Sequence, residues 1–183
     1  MNILPREFYL RNTVTVAKNL LGKRIVRKIG RQEISGMIIE TEAYKHKGDP
    51  ASHAFRKITE RNKIMFGDVG MAYVYFTYGM HYCFNVVAKN PKIAAGAVLI
   101  RAIQPEKGIK IIQENRGDVK FEGLTNGPAK LTQALEITKE QYGVDLTKYS
   151  KLFITEGIKP VKILASPRVG IKEATDKLWN FKI

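Results

Sequence analysis

The segment Ile38-Ile39-Glu40-Thr41-Glu42-Ala43-Tyr44 sets two carboxylates and a phenol at every second position. Side chains alternate along an extended strand, so Glu40, Glu42 and Tyr44 share one face, with the carboxylates about 6.5–7 Å apart at the backbone. Such a pair can raise one group's pKa and leave the other ionised, as general acid–base work requires. The same pattern also describes the wet face of a half-buried strand. Spacing alone leaves both readings open.

A second segment, Ala72-Tyr73-Val74-Tyr75-Phe76-Thr77-Tyr78, is dense in aromatics. Tyr73 and Tyr75 fall on one face of a strand and Phe76 on the other. Gly79 is expected to turn the chain, which leaves Tyr78 and Met80 at a hairpin tip, an odd place for large apolar groups. In a nucleic-acid protein such a tip is a candidate wedge that enters the base stack; otherwise the segment is a tyrosine-rich core strand. His53 lies in Asp49-Pro50-Ala51-Ser52-His53-Ala54, where a lone loop histidine is more often structural or incidental than functional.

Other chemistries lack their residues. No serine or cysteine sits in a nucleophile elbow, and no glycine-rich phosphate loop occurs. Cys83 is the single cysteine, so no internal disulfide can form, and one thiol with three histidines gives no zinc-type spacing. Neither a metal nor an organic cofactor is expected.

Charge points to a partner. Thirty-one Lys and Arg against seventeen Asp and Glu give a formal +14 over 183 residues, which suits a polyanion. The excess is spread along the chain, with no basic tail. No stretch approaches the roughly 20 apolar residues of a membrane helix, and the N-terminus lacks signal-peptide grammar. The sequence therefore predicts a soluble, cytoplasmic protein without membrane contact; nucleoid association and a monomeric state are further expectations, not consequences of these features.

The elements that must position these residues follow from periodicity and breakers. A short helix is predicted over Thr13–Leu21, ended by Gly22. Strands are predicted over Lys23–Ile29, Glu33–Tyr44, Met71–Thr77, Tyr82–Ala88 and Ala95–Ile103. Residues 45–60 read as irregular, and a brief helix over Arg61–Phe66 takes Thr59 as its candidate cap. Further helices are expected over Glu106–Asn115 and Pro128–Leu135. Residues 139–160 are weakly patterned, and Val161–Leu164 is a candidate late strand. Strands follow one another more than they alternate with helices. That predicts an α+β fold, one domain over residues 1–183 with a curved, mainly antiparallel, barrel-like sheet and surrounding helices.

At these segments the chain resembles the alkyladenine (3-methyladenine) DNA glycosylase family in its short bacterial form. The matching pieces include Asn19-Leu20-Leu21-Gly22-Lys23, Ile39-Glu40-Thr41-Glu42-Ala43-Tyr44, Asp49-Pro50-Ala51-Ser52-His53-Ala54 and Arg61-Asn62 with Met65-Phe66-Gly67. They continue through Tyr73 to Val87, Val98-Leu99-Ile100-Arg101-Ala102, Gly127-Pro128-Ala129-Lys130-Leu131, Gln133-Ala134-Leu135 and Pro167-Arg168-Val169-Gly170-Ile171. Order and spacing are kept throughout.

The resemblance implies a monofunctional glycosylase acting on double-stranded DNA with damaged purines: 3-methyladenine and 7-methylguanine, with hypoxanthine and ethenoadenine as further candidates. It implies Glu42 as general base and Arg101 as a holder of the nucleophilic water. Tyr44, His53 and Tyr75 would surround the flipped base, with Asn85 at the pocket floor. Tyr78 would intercalate, with Met80 beside it, and Arg168-Val169 would lie near the water. Faces of Tyr44 and Tyr75 would attract cationic methylpurines. Two positions depart from the family: Lys57 stands where glycine is common, and Leu178-Trp179-Asn180-Phe181 replaces the usual Pro-Trp-Arg-Phe. Both are expected outside the pocket. The competing readings are a non-catalytic nucleic-acid-binding domain and a carbohydrate hydrolase with Glu40 and Glu42 as its acid pair.

Overall fold

In the computed structural model, which describes residues 2–183, every strand belongs to one antiparallel sheet curled into a half-barrel. Its spine is β2 (Gln32–Lys45), a 14-residue strand flanked on one side by β5 (Gly96–Lys107). On its other side β2 pairs first with β1 (Arg24–Ile29) and then, at Glu40–Glu42, with β8 (Asn180–Lys182). Beyond β5 lie β4 (His81–Val87) and β3 (Ala72–Thr77), a hairpin. Beyond β1 lies β6 (Leu152–Thr155), and β7 (Leu164–Ser166) pairs with β8.

Alternation along β2 assigns its two faces. Thr41 and Ala43 point to the core, where the Thr41 hydroxyl donates to Ala17 O at 2.9 Å. Behind them packs α2 (Thr13–Leu20), whose Val16, Ala17 and Leu20 are fully buried and whose first turn is capped by Asn12 accepting from Val14 N. Glu40, Glu42 and Tyr44 occupy the opposite face, as the spacing predicts. Pairing between β2 and β5 passes from Ile38↔Ile103 to Glu40↔Ala102 and on to Thr41↔Ile100, so Ile39 and Arg101 are the extra residues of two adjacent bulges. Bulges re-aim side chains; here they bring Arg101 over the two glutamates.

Two hydrophobic clusters complete the core. The larger joins α2, the sheet and α4 (Pro128–Ala134) through Ile38, Phe84, Val98 and Leu131. The smaller, with Met65, Tyr73, Val87 and Ala97, lies under the irregular segment 45–66.

Some boundaries differ from the sequence reading. The helix expected over Glu106–Asn115 is strand to Lys107, because β5 keeps pairing with β2 as far as Ser35; α3 occupies Ile109–Arg116. Residues 139–160 contain a 3₁₀ turn at Lys139–Gln141 and the fully buried edge strand β6, whose four residues give too short a period to read. The late strand is Leu164–Ser166; Val161 is wholly exposed. A short helix α1 (Arg6–Tyr9) was not anticipated. Near Thr59 the chain forms a turn, and the 3₁₀ helix starts at Lys63 after Asn62.

Candidate active site

Where β2, β3, β4 and β5 meet the loop 167–171, the sheet opens into a cavity of about 330 Å³, the scale of a pocket for one small molecule. Tyr44, His53, Tyr73, Tyr75, Asn85 and Arg101 all line it. Tyr78 stands at its mouth. Residues from β2, the 45–60 loop and three further strands thus converge on one space.

Glu42 lies behind the wall, fully buried against three lining residues, Tyr44, Arg101 and Val169. Its Oε2 accepts from the Tyr44 hydroxyl at 2.8 Å. Its Oε1 accepts from Val169 N at 2.8 Å and Asn180 Nδ2 at 3.0 Å, with Arg101 Nε 3.5 Å away. A carboxylate stripped of water costs several kcal/mol unless it is paired and hydrogen-bonded; these three hydrogen bonds and the Arg101 ion pair supply that compensation. The wet-face reading of this strand therefore fails at Glu42. Glu40 is part-exposed and accepts at Oε1 from Arg101 Nε (3.1 Å) and Asn180 Nδ2 (2.7 Å). Both carboxylates are clasped by the same donors and do not face each other across a gap, so a carbohydrate hydrolase's opposed acid pair is not formed.

The aromatic wall is tightly coupled. His53 meets the Tyr75 ring edge-on at 4.7 Å, and its Nδ1 lies 2.9 Å from the Tyr73 hydroxyl. Desolvation, and then the Arg61 guanidinium, lower the His53 pKa to about 4, so its imidazole is neutral at pH 7. Burial first, and then Glu42, push the Tyr44 phenol far above its ordinary range, so it stays protonated and donates a hydrogen bond to Glu42. Burial likewise raises the Cys83 thiol, which lines the cavity beside Tyr75. Asn85 is buried and donates from Nδ2 to Tyr73 O at 3.0 Å.

Both tyrosine rings already carry cations. Arg168 sits 4.6 Å from the Tyr44 centroid and Arg61 sits 4.7 Å from that of Tyr75. Attraction of a cationic base to these rings is therefore partly offset by charges in place, a feature the sequence reading did not contain.

At the β3–β4 tip, Met80 N donates to Thr77 O, and both central residues are left-handed, Tyr78 at φ 51° and Gly79 at φ 69°. Glycine adopts this backbone freely, whereas tyrosine is strained in it. Tyr78 is 86% exposed and Met80 69%, so the apolar tip has no protein partner.

The loops are fixed by buried polar contacts. Asp49 accepts from Lys45 N at 2.9 Å and takes both terminal nitrogens of Arg168, tying the 45–60 loop to the 167–171 loop. Asn62 Nδ2 donates to His53 O and Lys57 O. Lys57, Arg56 and Arg61 face an adjoining recess that shares His53 and Arg61 with the main cavity.

The departures at residues 57 and 178–181 stand outside the cavity lining, yet the second is not remote from the chemistry: Asn180 bonds Glu42 directly, and the Trp179 ring stacks on Arg168 at 5.2 Å. The short β7–β8 hairpin carries too little periodicity to place itself in sequence. Arg61, Asp49 and Ser166 were likewise missed; only their positions inside matching motifs or beside them offered any signal. Among the described residues, no group of three or more His, Cys, Asp or Glu side chains is placed to hold a metal ion. No helix among the described residues is long and apolar enough to cross a membrane.

A buried, hydrogen-bonded glutamate beside a small aromatic cavity, on a strongly basic α+β domain, is the equipment of an enzyme acting on one unit of a polyanion. Residues 7–183 match the family model of methylpurine-DNA glycosylases, and the chain belongs to that family. A protein of Carboxydothermus hydrogenoformans named "Putative 3-methyladenine DNA glycosylase" is 50% identical over 182 residues, covering 98% of this chain and 94% of that one. Proteins of the same name from Prosthecochloris aestuarii and Chlorobaculum tepidum are 48% and 45% identical, each covering 98% of this chain and 87% of their own length.

Proposed function

We propose that this protein is a monofunctional DNA glycosylase that flips 3-methyladenine, 7-methylguanine and related damaged purines, including hypoxanthine and ethenoadenine, into the cavity and hydrolyses their N-glycosidic bond. The observation that carries this reading is the fully buried Glu42 carboxylate, held by three hydrogen bonds and an ion pair directly behind the wall of an aromatic cavity.

Base chemistry requires the nucleotide to leave the stack, at a cost of a few kcal/mol that is least for damaged pairs. The basic surface grips phosphates, with Arg56, Lys57 and Arg61 beside the cavity mouth, and Tyr78 with Met80 enters the vacated gap. Inside, Tyr44, His53 and Tyr75 hold the purine, and Asn85 limits what fits at the floor. Glu42 orients water against C1′. The C1′–N bond breaks with its electron pair going to the purine, the water oxygen bonds C1′, and the water proton passes to Glu42. Arg101 helps hold that water. A purine methylated at N3 or N7 leaves neutral; an uncharged lesion needs a proton from a donor as it departs. No lysine lines the cavity among the described residues, which supports hydrolysis without a lyase step.

The test is a panel of duplex oligonucleotides carrying each lesion, scored for abasic sites after alkali. Wild type should release free base, and Glu42→Gln should bind the same duplexes without release. Unchanged release by Glu42→Gln removes the assignment. Binding without release by the wild-type protein would instead leave a nucleic-acid-binding module.

A further inference from the structure

We infer that Asn180 is a positioning residue that locks one oxygen of Glu42 and leaves the other, Oε2, to take the proton from water. The inference rests on the general-base reading of Glu42 and deepens it.

Counting lone pairs gives the asymmetry. Each carboxylate oxygen offers about two acceptor sites. Oε1 meets Val169 N at 2.8 Å, Asn180 Nδ2 at 3.0 Å and Arg101 Nε at 3.5 Å, which saturates it. Oε2 meets only the Tyr44 hydroxyl, at 2.8 Å, so one of its acceptor sites is unfilled, although the carboxylate has no exposed surface while Tyr44 covers it. Tyr44 lines the cavity, so a shift of its hydroxyl as the base enters opens Oε2 to water on the substrate side.

Asn180 is fully buried, and its amide has one orientation that satisfies its surroundings. Nδ2 donates to Glu40 Oε1 at 2.7 Å and to Glu42 Oε1, while Oδ1 accepts from the Ser166 hydroxyl at 3.3 Å. The reverse orientation would aim the amide oxygen at two carboxylates. The register explains the row: Ser166 pairs with Asn180, and Asn180 with Glu42, across β7, β8 and β2. Neighbours directly opposite in antiparallel strands interact side chain to side chain. Asn180 thus fixes the Glu42 carboxyl rotation through a neutral group and ties it to Glu40, which carries Arg101 and, at 3.9 Å, Lys182. The arginine usual at this position in the family would bring a charge where this chain places an amide.

Single-turnover excision of 7-methylguanine from a duplex, with the dissociation constant for the same duplex, separates positioning from general stability. Asn180→Asp replaces two donors by an oxygen facing two carboxylates, and should slow excision about 100-fold or more with binding within twofold of wild type; Asn180→Ala should slow it about 10- to 100-fold. Ser166→Ala, part-exposed and not touching Glu42, removes the contact that steadies the Asn180 amide oxygen while the two carboxylates keep its orientation, and should cost about 3-fold in rate alone. Wild-type rates in Ser166→Ala and in folded Asn180→Ala overturn the inference, as does a loss of rate matched by an equal loss of binding. Should the Asn180 variants fail to fold, the Ser166→Ala rate decides. Abolished excision in Glu42→Gln alongside unaffected Asn180 and Ser166 variants sinks this inference alone; full excision in Glu42→Gln sinks the general base itself.

Discussion

Arg168 grips the Asp49 carboxylate with both terminal nitrogens, at 2.8 and 2.6 Å, while its guanidinium lies 4.6 Å from the Tyr44 ring centroid. Both charged side chains are fully buried. The pair sits directly behind the cavity wall: Arg168 also donates to Ala43 O, and its neighbour Val169 supplies the backbone donor to Glu42. One ion pair therefore sets the depth of the 45–60 loop, the tilt of Tyr44 and the reach of the 167–171 loop.

Breaking that pair from one side should be severe. Asp49→Ala leaves a buried guanidinium whose Nε already has no partner among the described residues, and removing one member of a buried pair costs about 3–5 kcal/mol. Urea denaturation of Asp49→Ala should show a loss of that order. The double variant Asp49→Ala/Arg168→Met should recover a good part of it, because no unpaired charge remains. A single-variant loss below about 1 kcal/mol would mean that the pair does not brace the loops.

Tyr78 should separate stability from function. Its φ of 51° strains a tyrosine but not a glycine, and 86% of the residue is exposed. Tyr78→Gly relieves the strained backbone but adds freedom to the unfolded chain. Its melting temperature is expected within a few degrees of wild type. Its excision rate on duplex lesions is expected to fall about 10-fold or more, through lost wedge contacts each worth about 1–3 kcal/mol per stacked base. Wild-type excision in Tyr78→Gly would remove the wedge from the mechanism.

How far the sequence reaches is visible by comparing Glu42 with Asn180. Glu42, Tyr44, Tyr73 and Tyr75 lie on long strands, where a period of two assigns faces, and the structure sets them as that period requires. Asn180 and Ser166 lie on three-residue strands, joined by a connection from 167 to 179 whose path follows from the Arg168–Asp49 pair and not from any local pattern. Cations on the rings escape sequence reading for the same reason: Arg61 and Arg168 reach Tyr75 and Tyr44 through tertiary folding. The sheet was legible because alternation is local. The polar clasp around Glu42 was not, because its donors come from four separate segments.

His53 should titrate low. Its folded pKa of about 4 lies below the ordinary 6.5, so the unfolded chain binds the proton first as pH falls. The stability contributed by neutral His53 is therefore complete above about pH 6.5 and declines as pH drops from there towards about 4, in proportion softened by the ring's exposure to the open cavity. NMR titration of the imidazole in the folded protein should place its midpoint well below 6.5, and His53→Gln should flatten the pH dependence of stability in that window. A midpoint at or above 6.5 would contradict the neutral imidazole assigned to the cavity wall.

Arg61 should tune the enzyme's choice between charged and neutral lesions. Its guanidinium lies 4.7 Å from the Tyr75 centroid and lines the cavity, where Arg101 already contributes a second cation. A flipped purine carrying positive charge meets that field unfavourably, whereas hypoxanthine does not. Replacing the charge by an apolar stem of similar length, Arg61→Met, removes about 1 kcal/mol of like-charge repulsion at such a distance and restores the Tyr75 face to the base. The ratio of single-turnover excision rates, 7-methylguanine over hypoxanthine, should then rise about fivefold, even if both rates fall through a lost phosphate contact. Equal losses on the two substrates would assign Arg61 to DNA grip alone. A falling ratio would show that the guanidinium favours the cationic base, and the field argument for this cavity would have the wrong sign.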